Sequence, residues 1–144
     1  MKKMPPVEKI FEAWTALSSG RVILKDGFAE VSSSDGEKSY TVRFHGDQYS
    51  SDDNATFWQG YPGYPVIAVL MAQGKLPYDK KEASLWENIN WTQLNKKNKN
   101  NYSDAVKEIA EQRGINLQEA YDEANKVMEA IKSLPLEIKR KIKM

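Results

Sequence analysis

The chain has 144 residues, 40% of them hydrophobic and 28% charged, which fits one compact domain and excludes wholesale disorder. Its 21 Lys and Arg against 20 Asp and Glu leave a net charge of +1, so a polyanion binder working by bulk charge is excluded while a local basic patch stays open. Cysteine is absent and His45 is the single histidine, which removes disulfides, Cys-ligated zinc, iron–sulfur clusters, cysteine nucleophiles and multi-His metal sites together.

No export signal follows Met1-Lys2-Lys3, because Pro5 and Pro6 come before any apolar stretch. The longest apolar run, residues 66–72, is far short of the roughly 20 residues a spanning helix needs. The expectation is a soluble, cytoplasmic protein without membrane contact, in which the glycan triplets at Asn54, Asn90 and Asn101 are accidental.

Pro6 suits a first helical turn, and Val7, Ile10, Phe11, Trp14 and Leu17 then recur at helical spacing until Ser18-Ser19-Gly20 stops the helix. From Arg21 the period changes to two. Val22-Ile23-Leu24, residues 28–33 and residues 40–44, separated by Asp26-Gly27 and Ser34-Asp35-Gly36-Glu37, read as a meander of three short antiparallel strands. Residues 45–64 keep no period and read as a loop of about twenty residues, long enough in a small domain to be either pinned or part of a site. Pro65 opens a run closed by Gly74 that reads as a helix buried nearly all round.

The second half is helical. Asp79 with Glu82 forms a capping-box pattern before Leu85, Trp86 and Ile89, which read as a buried face, and Trp91 and Leu94 mark a short turn. Residues 95–101 hold only Asn and Lys and read as a surface loop. Ser103 and Asn116 read as caps of two helices divided by Gly114, the second keeping strict spacing from Leu117 to Leu134 before Pro135. The fold class is therefore α+β, comprising an N-terminal helix, a small three-stranded antiparallel meander, a buried central helix and a C-terminal helical hairpin region. One domain spans 1–144, with a soft boundary near 76–79 and a basic tail at 136–144. Charge is uneven: residues 26–53 carry seven acids against Lys38 and Arg43, and residues 136–144 carry Lys139, Arg140, Lys141 and Lys143 against Glu137.

The strand turn, Val31-Ser32-Ser33-Ser34-Asp35-Gly36, Tyr40-Thr41-Val42 and, after a loop, Ile67-Ala68-Val69-Leu70 together resemble the SWIM zinc-finger pattern over residues 20–76. In this register Ser51 and Asp53 stand where that family has C-x-C, and Gly63 and Pro65 where it has C-x-H. The resemblance implies the family's fold without its metal. A structural zinc contributes on the order of 10 kcal/mol to folding, so another fastening is required. Phe57, Trp58, Tyr61 and Tyr64, with Gly60 and Gly63 between them, are expected to form an apolar clip in its place.

Asp47, Asp52, Asp53 and Asn54 have the oxygen ligands of a hard-cation site but not the EF-hand spacing, and a polar turn is favoured. His45, Asp47 and Ser50 hold the residue types of a hydrolase triad without a nucleophile elbow. Residues 106–123 resemble a helix-turn-helix, but Gln118, Glu119, Asp122 and Glu123 would repel DNA, so a plain helical hairpin is favoured. Lys96, Lys97 and Lys99, and Lys139, Arg140 and Lys141, are candidate nucleic-acid contacts, with solvated surface lysines as the plainer reading. The expected function is a non-catalytic binding module for protein or nucleic acid. It would act through the aromatic loop 57–64 (Trp58, Tyr61, Tyr64) and the acidic edge (Asp52, Asp53), with no cofactor and no metal. The alternative is a small enzyme or metal-dependent hydrolase using Asp47, Asp52, Asp53 and His45.

Overall fold

The computed structural model describes residues 3–142, so Met1, Lys2 and Lys143 of the sequence reading lie outside the described residues. The chain is α+β, with six α-helices and a five-stranded sheet among those residues. Helix α1, Lys9–Ser18, buries Ile10, Phe11, Ala13 and Trp14. Strands β1 (Val22–Leu24), β2 (Phe28–Ser32), β3 (Ser39–His45) and β4 (Gln48–Ser51) form an antiparallel meander. Helix α2, Tyr64–Ala72, follows, then α3 (Lys80–Ser84), α4 (Trp91–Lys97), α5 (Tyr102–Arg113) and α6 (Leu117–Ser133), before β5 (Glu137–Ile138) closes the sheet. The sheet order is β1-β2-β3-β4-β5, with β5 parallel to β4.

Alternation along the strands divides the sheet into two faces. Ala29, Val31, Val42 and Tyr49 point inward and are buried. Helix α2 lies across this face in contact with β1, β3 and β4, and α1 packs on α2 from the other side. Burial on both sides is why residues Pro65 to Met71 are buried without a polar stripe. The core then runs on through Trp86, Trp91, Val106, Ile109, Ala120, Ala124 and Ile131, so both halves of the chain share one apolar interior. Register and alternation put Phe28, Glu30, Thr41, Arg43 and Ser50 on the opposite face. There Thr41 Oγ1 and Ser39 Oγ donate to the Glu30 carboxylate, each at 3.1 Å.

Polar groups lock the helical half to α1. Thr15 Oγ1 accepts from Trp91 Nε1 at 2.8 Å and lies 2.5 Å from the Trp86 carbonyl, to which it donates. Lys9 pairs with the buried Glu12 at 3.0 Å and sits 4.3 Å from the Tyr102 ring centre, tying α1 to α5. Asp79, Asn90, Asn101 and Asn116 each accept from the backbone N–H three residues on, capping α3 to α6 in turn.

Several expectations are corrected. The meander has four strands, because Gly46-Asp47 makes a tight hairpin between β3 and β4 within the stretch read as loop. The rest of that stretch includes a π-helical turn at Ala55–Gln59, ended by Gly60 in the left-handed conformation. Asn101 rather than Ser103 caps α5, and residues 95–97 belong to α4. Of the face read as buried, Trp86 and Ile89 are buried but Leu85 is exposed. The tail is not a free basic end: Glu137 N donates to the Asp47 carbonyl, Lys139 N to the Tyr49 carbonyl, and Ile142 is buried. Among the described residues no helix is long and apolar enough to cross a membrane.

Candidate functional site

The segment between β4 and α2 is held by a polar knot. Asp53 is 5% exposed, and its carboxylate accepts from Ser51 Oγ, from Thr56 N at 3.1 Å and from Thr56 Oγ1 at 3.1 Å. Thr56 Oγ1 in turn accepts from Gly63 N at 2.9 Å, at the residue that opens α2. Gly63 has φ −74°, which any residue adopts, so its lack of a side chain is a matter of space. A Cβ there would overlap the Asp53 carboxylate and lie 3.1 Å from Thr56 Oγ1.

The expected apolar clip is therefore corrected. Trp58 is 63% exposed, and its ring meets Phe57 edge-on at 4.7 Å between centres. Tyr61 and Tyr64 lie apart from it. Tyr64 packs against the core and meets the Tyr40 ring at 6.2 Å, where burial pushes its phenol well above the usual tyrosine range. Tyr61 faces Lys3, whose ammonium is 5.8 Å from its ring centre, and its phenol is also pushed up, first by burial. Rings do not bind this junction together; a buried carboxylate and its donors do.

Freed from that duty, Trp58 faces a different set of groups. Strand β5 carries the chain past β4 so that the Arg140 guanidinium carbon lies 5.4 Å from the Trp58 ring centre and 5.6 Å from that of Phe57. Both distances are within cation–π range. Beside them a groove of about 440 Å³ opens between strands β3 and β4 and the segment that follows β5. Its walls are Thr41 and Arg43 of β3, Ser50 and Ser51 of β4, then Asp52, Phe57, Arg140, Lys141 and Ile142. Three cations and one carboxylate thus line the same groove, and Asp52 is fixed there by accepting from Thr41 N at 2.9 Å.

Of the residues singled out in the sequence, Trp58, Asp52, Arg140 and Lys141 come together here. Asp53 does not reach the surface. Lys139 pairs with Glu137 at 2.8 Å, whereas Lys96, Lys97 and Lys99 lie around the α4–α5 turn, where Lys97 pairs with Glu108 at 3.0 Å. The alternative enzyme set does not assemble: Asp53 is inside the knot, Asp52 is in the groove, and His45 and Asp47 flank the β3–β4 turn. Among the described residues no three His, Asp or Glu side chains are grouped to hold a metal ion. Sequence reasoning missed Arg43 as a groove residue and Thr56 as the centre of the knot. The signal for the groove was Leu136 and Ile138, whose spacing of two after Pro135 fits the short strand that brings Arg140 across.

Neither a curated protein nor a solved structure matches this chain. A family model described as Uncharacterised conserved protein UCP014422 matches residues 2–137, and the chain belongs to that family.

Proposed function

We propose that this protein is a non-catalytic binding module whose contact surface is the groove beside Trp58, and that its partner is anionic there. The observation that carries the reading is an exposed tryptophan in contact with Arg140 and Phe57, two residues that line a groove also bordered by Arg43 and Lys141. An indole left 63% exposed offers a flat apolar contact. The cations supply attraction that a net charge of +1 alone does not.

We further propose that residues 20–76 are a SWIM-like unit in which hydrogen bonds stand in for the zinc. The approach of Asp53 to Gly63, two of the positions matched to that family's ligands, supports this reading. So does the bridge from Asp53 through Thr56 to the first turn of α2.

Retention on immobilised heparin, a sulfated polyanion, tests the surface. The wild type is expected to be held at low salt, the R43A/R140A/K141A variant to pass through, and the K96A/K97A/K99A variant to behave as wild type. Equal elution of wild type and groove variant, or loss of retention only in the α4–α5 variant, overturns the assignment.

A further inference from the structure

The groove makes three demands on whatever fills it. Arg43, Arg140 and Lys141 require negative charge from more than one direction. The exposed Trp58 face requires a flat ring that can lie against it. Asp52, held in place by the Thr41 amide, requires N–H donors, because a second carboxylate beside it would be repelled. The groove is also shallow and backed by hydroxyls of Thr41 and Ser50, which suits a chain passing over a sheet more than a small molecule enclosed on all sides.

We infer that the partner is a single-stranded nucleic acid, with an unpaired base stacked on Trp58 and its flanking phosphates on Arg43, Arg140 and Lys141. This rests on the groove being the binding surface and names the partner it takes. A nucleotide chain brings all three features together: phosphates, planar rings, and ring or amino N–H groups. A duplex keeps its bases stacked on each other and offers Trp58 none. An acidic peptide such as polyglutamate brings charge but no planar ring to lie against Trp58. An anionic lipid surface would want apolar side chains to insert around the tryptophan, yet the other exposed large apolar residues among those described, Ile23, Leu24 and Leu85, lie on β1 and after α3.

Arg140 already rests on the Trp58 and Phe57 rings, which holds its guanidinium in place before any ligand arrives. A base that stacks on Trp58 and leaves the guanidinium in place makes indole and guanidinium act as one unit. Three phosphate contacts on a single strand give a slope of about −2 in log affinity against log salt, or roughly a 20-fold loss between 50 and 200 mM salt.

Fluorescence anisotropy with a labelled twelve-nucleotide oligothymidylate, its RNA counterpart, a duplex of the same length, polyglutamate, and phosphatidylglycerol vesicles separates the possibilities. Expected are binding of either single strand with that salt slope, at least tenfold weaker binding of the duplex, and no binding of polyglutamate or vesicles. W58A is expected to weaken single-strand binding by roughly 5- to 150-fold, with W58F between it and wild type. The fold of W58A is checked by circular dichroism. Equal binding of duplex and single strand, polyglutamate or vesicles preferred over oligonucleotide, or W58A binding as wild type overturns the inference. If heparin retention through the groove cations persists while no oligonucleotide binds, this inference fails and the anion-binding surface stands. If both are absent, both fail.

Discussion

Replacing Asp53 by alanine tests the polar knot against the apolar clip. The carboxylate is buried and takes three donors, Ser51 Oγ–H, Thr56 N–H and Thr56 Oγ1–H. The two hydroxyls can rotate towards other acceptors, whereas the Thr56 N–H is fixed by the backbone and would be left without one. Hydrogen bonds to a charged acceptor are each worth about 1.5–3 kcal/mol and a stranded buried donor costs about 1–3 kcal/mol. Because the three share one acceptor they do not add fully, and D53A is expected to cost about 3–5 kcal/mol. That is a large part of the roughly 5–15 kcal/mol that holds a domain together. W58A removes a larger side chain, but one 63% exposed, and is expected to cost about 1 kcal/mol or less. Urea unfolding followed by far-ultraviolet circular dichroism reads both, with an unchanged slope required so that midpoints report stability. A double-mutant cycle with T56V should give a coupling of about 1–2 kcal/mol. If W58A destabilises as much as D53A, or the cycle shows no coupling, the rings hold this segment after all.

Other consequences follow from the same geometry. G63A is expected to cost about 1–3 kcal/mol through overlap with the Asp53 carboxylate. Most of that penalty should vanish in a D53A background; equal penalties in both backgrounds would refute the clash. T15V leaves the Trp91 indole N–H without its acceptor and should lower stability by about 1–3 kcal/mol with a changed near-ultraviolet circular dichroism spectrum. For Tyr64, burial pushes the phenol up; for Tyr121, burial and then the hydrogen bond to Glu8 do so; for Lys9, burial pulls the ammonium down, but the charge and hydrogen bond of Glu12 together leave it above its usual range. All three groups hold their protons more tightly folded than unfolded. Their contribution is therefore fully present below about pH 10 and is lost as pH rises through their folded values. Melting temperature should fall above pH 10, with tyrosinate absorbance for this pair appearing only on unfolding; stability that rises there would contradict the assignment.

Much of the fold was legible because helix periodicity and capping are local. Helix α1, the fully apolar α2 and the long α6 each announce themselves in side-chain spacing, and Asp79 and Asn116 mark starts that the backbone then uses. Strand β4 was not legible, since Gln48-Tyr49-Ser50-Ser51 has one apolar residue, and its identity depends on pairing with β3 and β5. The site was half legible. Trp58, Arg140 and Lys141 stood out by residue type, but more than eighty residues separate Trp58 from Arg140, and the parallel pairing of β5 joins them. The knot was misread for a physical reason. Gly63 was read as a lost zinc ligand, Asp53 as part of a polar turn or binding edge, and the aromatic neighbours as the nearest source of burial energy, whereas a carboxylate with three donors fastens the same junction in little space.

The most direct test of the working surface is the set of four tryptophan indole N–H signals in a proton–nitrogen correlation spectrum during titration with oligothymidylate. Trp14 and Trp86 are fully buried and Trp91 is 3% exposed, so only Trp58 can meet a ligand. The expected result is a saturable shift of the Trp58 indole together with the Arg140 side chain, while the other three indoles stay in place. Shifts confined to the α4–α5 lysines, or a Trp58 signal that stays still while the oligonucleotide binds, would contradict it.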